Sequence, residues 1–460
     1  MCGIFGIHGH PRAAEISHLG LYSLQHRGQE SAGIVSSSND GSAQAVKRMG
    51  LVSEGLSGAD ISRMPGDIAI GHTRYSTTGS STIENAQPVL ARFRDGHIAL
   101  AHNGNLTNAT EMRHQLEDTG SIFASTMDSE VLVHRIAKSS ADTPEGKLAD
   151  ALQDVEGAYS IVVTIGDTLL AARDPRGWRP LVMGRLNGSY VFASESCALD
   201  IVGAQTIREV ERGEIVAVDR EGMRSTHPLV SKESRRCVFE YVYFARPDSR
   251  VFGGSVDRAR RHLGRRLAQE CPAPGADLVF SVPDSSNSAA LGFAEESKLP
   301  FELALIRNHY VGRTFIQPTQ AGRDEKVKVK YNAVHEVLNG KSVVMVDDSI
   351  VRGTTTRGLV AMVRAAGARE VHMRVSSAPI TGPCYYGIDT PNREELIAAN
   401  MSVDEIAATL GVDSLGYLSL DGMLESVPGG PDGFCHACFS GDYPTPPPAD
   451  PQKLRFGCGC

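Results

Sequence analysis

Several absences narrow the field at the outset. No uninterrupted apolar stretch approaches the ~18 residues of a membrane-spanning helix, and no basic region followed by a long apolar segment suggests a secretory signal. Basic residues are not in excess: 46 Lys and Arg face 54 Asp and Glu, a formal net charge of −8. The basic clusters are as short as "RARRHLGRR", which argues against nucleic acid and polybasic membrane partners but leaves phosphorylated small molecules open. No Walker A glycine–lysine pattern is present, so P-loop nucleotide hydrolysis is not competitive. Cysteine is too sparse for a disulfide scaffold, at nine in 460 residues. An odd count without an export signal points to a reducing, cytoplasmic setting in which some thiols serve metal or catalysis.

What is present divides into two rhythms. The length exceeds one ordinary core and suggests two domains with a tail. The first half reads as short strands broken by turns, such as "DIAIGHTRYS", "HIALAHNGN", "YSIVVTIGDTLLAARD" and "GEIVAVD", with amphipathic helices near 16–25 and 128–139. "PLVMGRLNGSYVFAS" predicts a hairpin turning on Asn187-Gly188. From near residue 230 the pattern alternates between helices (near 256–270, 287–298 and 355–366) and the apolar strands "DLVFSV", "SVVMVD" and "EVHMRVSS", as a parallel α/β sheet requires. The resulting division is 2–230, 231–425 and a tail, 426–460, whose Gly/Pro-rich composition predicts a surface wrap rather than a core.

The stretch "SVVMVDDSIVRGTTTRG" carries the clearest chemistry. An apolar strand ends in Asp347 and Asp348, and a loop containing Ser349, Gly353, Thr354 and Thr355 feeds a helix. Backbone amides at such a helix start receive phosphate. Two carboxylates cannot bind phosphate, so they face sugar hydroxyls or a metal, a combination that fits a phosphorylated ribose. The stretch resembles the binding motif of the type I phosphoribosyltransferases. That resemblance makes "VFSVPDSSNSAALG", with Asp284, Ser285 and Ser286, the pyrophosphate loop. The basic segment between the two carries Arg307, Arg313, Lys328 and Lys330 and reads as a lid that closes over pyrophosphate.

The first half supplies a different set of parts. Once Met1 is clipped, Cys2 in "MCGIFGI" carries a thiol and a free α-amine, a nucleophile with its own base. An α-amine of pKa ~8 suits that role at neutral pH. Asn103 and the Gly104 amide, in "AHNGNL", can donate to an oxyanion. Arg74 in "GHTRYSTTG" can fork onto a substrate carboxylate, and Asp128 in "STMDSE" can take an α-ammonium. In this order the motifs resemble the class II glutamine amidotransferases of the N-terminal-nucleophile hydrolases. That implies an αββα sandwich ahead of the phosphoribosyltransferase-type parallel sheet.

A glutaminase joined to a phosphoribosyltransferase is similar to the amidophosphoribosyltransferases. The likeness also runs through "ENAQP" (84–88), "ARDPRGWRP" (172–180) and "FEYVYFARPDS" (239–249). It implies the first committed step of purine synthesis: ammonia released from glutamine at Cys2 displaces pyrophosphate from phosphoribosyl pyrophosphate. Mg²⁺ would lie near Ser286, Asp347 and Asp348. Purine nucleotides as inhibitors and a homotetramer are further implications. His309, Lys328 and Tyr331 depart from the residues usual in that family. An amidotransferase acting on a related phosphorylated sugar, or a sensor that binds without turnover, are the alternatives.

Of the remaining thiols, Cys435 and Cys438 form a C-x-x-C, which alone reads as free thiols or half of a zinc site. The resemblance implies instead that Cys237, Cys384, Cys435 and Cys438 hold a [4Fe–4S] cluster, as in one branch of the family. Cys197 and Cys271 read as buried residues, and Cys458 and Cys460 fall outside the pattern.

Overall fold

The computed structural model describes residues 1–38, 41–75, 79–308 and 329–448. Two antiparallel sheets build the first half. One has seven strands, with Gly3–His8 at its centre between Ser189–Ala193 and Ile68–Arg74. The other has six and contains Gly96–Leu106 beside Gly157–Ile165. Their strands alternate side chains between two buried faces. Ile4, Ile70, Ala99, Ala101, Val162 and Leu169 interlock between the sheets. The opposite faces pack on helices, with Phe5 and Ile34 meeting Leu21 and Leu199 on one side and Leu100 and Ile161 meeting Leu132 and Leu148 on the other. Two sheets covered by two helical layers make the αββα sandwich. The hairpin at Asn187-Gly188 is present with both residues at positive φ, 48° and 93°.

The second half holds a four-stranded parallel sheet in the order Leu278–Ser281, Ser342–Asp347, Glu370–Val375, Ser414–Tyr417. Alternate residues face opposite layers. Val344 and Val346 pack toward the helices Val256–Glu270 and Asn287–Ser297, while Val343 and Met345 pack toward Thr354–Ala365 and Val403–Leu410. A covered parallel sheet explains the unbroken apolar runs read in the sequence.

The tail corrects the surface-wrap expectation. Phe434–Cys435 pairs in parallel with Arg236–Cys237, and Phe434, Cys438 and Phe439 lie in the same core as Val256 and Leu263. Its Gly/Pro content shapes turns, while its few aromatics supply core. Cys197 is buried, whereas Cys271 is only half-buried. Among the described residues no helix is long and apolar enough to cross a membrane.

Candidate active sites

The first site forms where strand Gly3–His8 begins. Antiparallel pairing of Gly3 with Thr73 sets Cys2 on the same rung as Arg74, and the second sheet brings up Asn103. The Cys2 backbone nitrogen donates to Asn103 Oδ1 at 3.1 Å, and its thiol lies 3.7 Å from the Tyr75 carbonyl. Asn103 is wholly buried, and its Nδ2 donor has no partner among the described residues. A buried, unanswered donor costs free energy unless a ligand takes it. Through its Oδ1 the same side chain is tied to the backbone of Cys2. Gly104 is required sterically, because a Cβ there would lie 1.9 Å from the Ala158 carbonyl oxygen.

Arg74 and Asp128 are held in place by their neighbours. Arg74 pairs with Glu30 and donates to the Ser80 carbonyl at 3.0 Å. Asp128 accepts from the Leu106 amide at 2.9 Å and from Ser129 at 3.1 Å. Met1 is buried, its sulfur against Arg179 Nη1. Burial above all pushes its amine down to about 6.

The second site lies at the carboxyl ends of two adjacent parallel strands. Asp347 closes strand Ser342–Asp347, and the serine turn after Leu278–Ser281 faces it. Ser286 Oγ donates to Asp347 at 3.0 Å, Ser285 to Asp348 at 2.5 Å, and Ser349 to Asp348 at 2.6 Å. Burial, then the neighbouring Asp348, raises the pKa of Asp347. Burial likewise raises that of Asp348. Gly353, at φ 74°, turns the chain into helix Thr354–Ala365, whose first two residues, Thr354 and Thr355, are exposed and, as at any helix start, have no acceptor within the helix for their amides.

Asp284 is exposed and pairs with Arg307. Tyr331, on a strand pairing with Leu305–Arg307, donates its hydroxyl to the Pro283 carbonyl at 3.2 Å and so ties that strand pair to the serine turn. His309, Arg313, Lys328, Cys458 and Cys460 lie outside the described residues.

Cys237, Cys384, Cys435 and Cys438 line one cavity with Trp178, Arg179 and Tyr386. Cys237 and Cys435 are register partners. Burial pushes the Cys237 thiol up to about 11 and also raises those of Cys435 and Cys438. Among the described residues no three His, Cys, Asp or Glu side chains meet closely enough to grip a metal ion as they stand.

Sequence reasoning assigned no role to Arg27, Glu195 and Glu240, which form a fully buried ion network behind Cys2. Burial works against the Arg27 charge, but Glu240 and Glu195 outweigh it and raise its pKa. Glu240 stands inside a motif already noted, "FEYVYFARPDS", and Arg27 lies in "LQHRGQES".

Residues 72–200 match the glutamine amidotransferase domain family. The amidophosphoribosyltransferase of Bacillus subtilis is 50% identical over 96% of this chain and 94% of its own. The chain belongs to the amidophosphoribosyltransferase family. Two solved structures superpose over nearly the whole amidophosphoribosyltransferase fold. One, described as the allosteric regulatory enzyme of purine biosynthesis, has a TM-score of 0.93 at 48% identity and covers 99% of this chain and 98% of that one. The other is the Bacillus subtilis glutamine phosphoribosylpyrophosphate amidotransferase complexed with ADP and GMP, at a TM-score of 0.90 and 49% identity, covering 97% and 98%.

Proposed function

We propose that this amidophosphoribosyltransferase opens purine biosynthesis with the residues described above. Cys2, freed of Met1, attacks the amide carbon of glutamine, and its α-amine passes the proton to the leaving ammonia. Asn103 Nδ2 and the Gly104 amide hold the oxyanion, while Arg74 and Asp128 hold the substrate's carboxylate and ammonium. Water then hydrolyses the glutamyl thioester. The ammonia moves between the domains, 2–230 and 231–425, to the second site. There it displaces pyrophosphate from C1 of phosphoribosyl pyrophosphate and gives 5-phosphoribosylamine.

The Thr354 and Thr355 amides would cradle the 5-phosphate, and Asp284, Ser285 and Ser286 border the pyrophosphate, with Arg313 and Lys328 closing over it. Asp347 and Asp348 would face the ribose hydroxyls. Two crowded carboxylates suit Mg²⁺, which takes one or two of them plus phosphate oxygens. When bound, the ion neutralises the pyrophosphate. Four cysteines around one cavity fit a [4Fe–4S] cluster, which would clasp the tail, 426–460, to the second domain. A cytoplasmic homotetramer inhibited by purine nucleotides completes the reading, and the relative crystallised with ADP and GMP supports its last part.

The observation that carries the proposal is the unanswered Asn103 donor beside Cys2, on a chain that also holds the serine–aspartate site. The test is incubation with glutamine, phosphoribosyl pyrophosphate and Mg²⁺. Glutamate and pyrophosphate should appear in equal amounts. Glutamate without pyrophosphate, whatever sugar phosphate is offered, would sink the reading.

A further inference from the structure

We propose that Glu240, supplied by the second half of the chain, is a positioning residue for the nucleophile of the first, acting through Arg27. The inference rests on the glutaminase reading of Cys2. Arg27 Nε donates to the Cys2 carbonyl at 3.0 Å, a bond to the backbone that does not involve Met1. The rest of the guanidinium is gripped from the other side. Glu240 takes Nη2 at 2.8 Å and Nη1 at 3.0 Å in a fork, and Glu195 takes Nη1 at 2.5 Å. Arg27, Glu195 and Glu240 have no exposed surface, so no solvent can substitute for a lost partner.

A guanidinium is planar, so fixing one edge fixes the direction of the other. Without the carboxylate of Glu240 the charged two-point fork is lost, Glu195 holds the guanidinium through Nη1 alone, and the plane can turn about that bond, taking Nε off the Cys2 carbonyl. Buried ion pairs add little net stability, and orientation is their best-attested use.

Glu240 is itself placed by the phosphate-binding half. It opens the wide turn Glu240–Phe244, and the carbonyls of Tyr241 and Ala245 accept from Arg260 at 2.7 and 2.8 Å. Arg260 also donates to the Ser285 carbonyl, at 3.4 Å, in the serine turn of the second site. Glu195 binds the same segment, accepting from the Arg246 amide at 2.9 Å and Ser249 Oγ at 2.7 Å. The carbonyl of the nucleophile is therefore held by a hand that the other domain closes.

The test uses the full chain with Met1 removed, carrying Glu240→Gln or Glu240→Asp. Two readouts separate positioning from folding: the ratio of glutamine-driven to ammonium-driven 5-phosphoribosylamine formation, and the rate at which iodoacetamide alkylates Cys2, followed by peptide mass. Glu240→Gln should lower glutamine-driven kcat about tenfold to a hundredfold and slow or misdirect alkylation, with ammonium-driven turnover within about twofold of wild type. Glu240→Asp, which keeps the charge, should recover part of the loss. An equal fall in both rates, or no change in glutamine use, overturns the proposal. If Glu240→Gln does not fold, Glu240→Asp is judged by the same readouts. A wild-type protein that makes no phosphoribosylamine refutes the proposed function, while the alkylation rate still judges Glu240.

Discussion

The two sites are built in opposite ways. At the glutamine site the working groups rise from strands of two facing sheets and from turns packed against them. Asn103 has no exposed surface, Arg74 has 2% and Asp128 has 7%. At the phosphate site Asp347 ends a strand and the others sit on turns beyond strand ends; Asp347, Asp348 and Ser286 are buried, but Asp284, Thr354 and Thr355 are open to solvent. A thioester intermediate must be shielded and its oxyanion met by donors already in place, which a rigid sandwich provides. A bulky pyrophosphate donor must enter and leave, which loops permit.

Separate construction makes the two halves separable by mutation. Cys2→Ala should lower glutamine-driven synthesis on the order of 10⁴-fold or more and leave ammonium-driven synthesis within about twofold, as measured by pyrophosphate release. Comparable loss with ammonium would mean that Cys2 holds the domains together. Replacing Asp347 and Asp348 by Asn should do the reverse. Both synthetic rates should fall roughly 10²–10³-fold while glutamine hydrolysis persists, measured as glutamate formed without pyrophosphate.

Asn103→Ala removes one oxyanion donor and should cost about 10²-fold in glutamine-driven kcat. Its KM should change less, because Arg74 and Asp128 remain. Tyr331→Phe deletes one hydrogen bond, worth about 1 kcal/mol. A several-fold rise in KM for phosphoribosyl pyrophosphate, with KM for glutamine unmoved, would show this tie acting on one site alone.

The smallest effect concerns pH. Burial lowers the amine of Met1 to about 6, and the proposal that the freed Cys2 amine is the base predicts the same direction for it, because Cys2 is itself buried. A lowered amine is a free base at neutral pH and is lost to protonation as pH falls. Glutamine-driven kcat/KM should therefore stay level through neutral pH and decline only on the acid side. A decline beginning near 8 would show an amine open to water.

Legibility followed the same division. The phosphate site was readable as one continuous stretch because a βα turn keeps its ligands together in sequence, from Asp347 to Thr355. The glutamine site was readable only as scattered short motifs, since sheet register, not chain order, sets Cys2 beside Arg74 and Asn103. The αββα and parallel-sheet architectures followed from strand rhythm and resemblance together. Three things escaped. The tail joined the core because Phe434 and Phe439 outweigh the glycines and prolines around them. Arg27, Glu195 and Glu240 looked like ordinary charges because nothing local marks a charge that will be buried. Tyr331 read as a departure, while its hydroxyl bond to Pro283 depends on a contact 48 residues away in sequence.

The buried Met1 has a consequence of its own. Its side chain is 1% exposed and is packed in the core of the second half, among residues such as Val238 and Ile388. On the reading that Cys2 works with a free amine, a chain that folds with Met1 in place leaves an aminopeptidase no loose end, so its use of glutamine would hang on trimming before the second half closes over that residue.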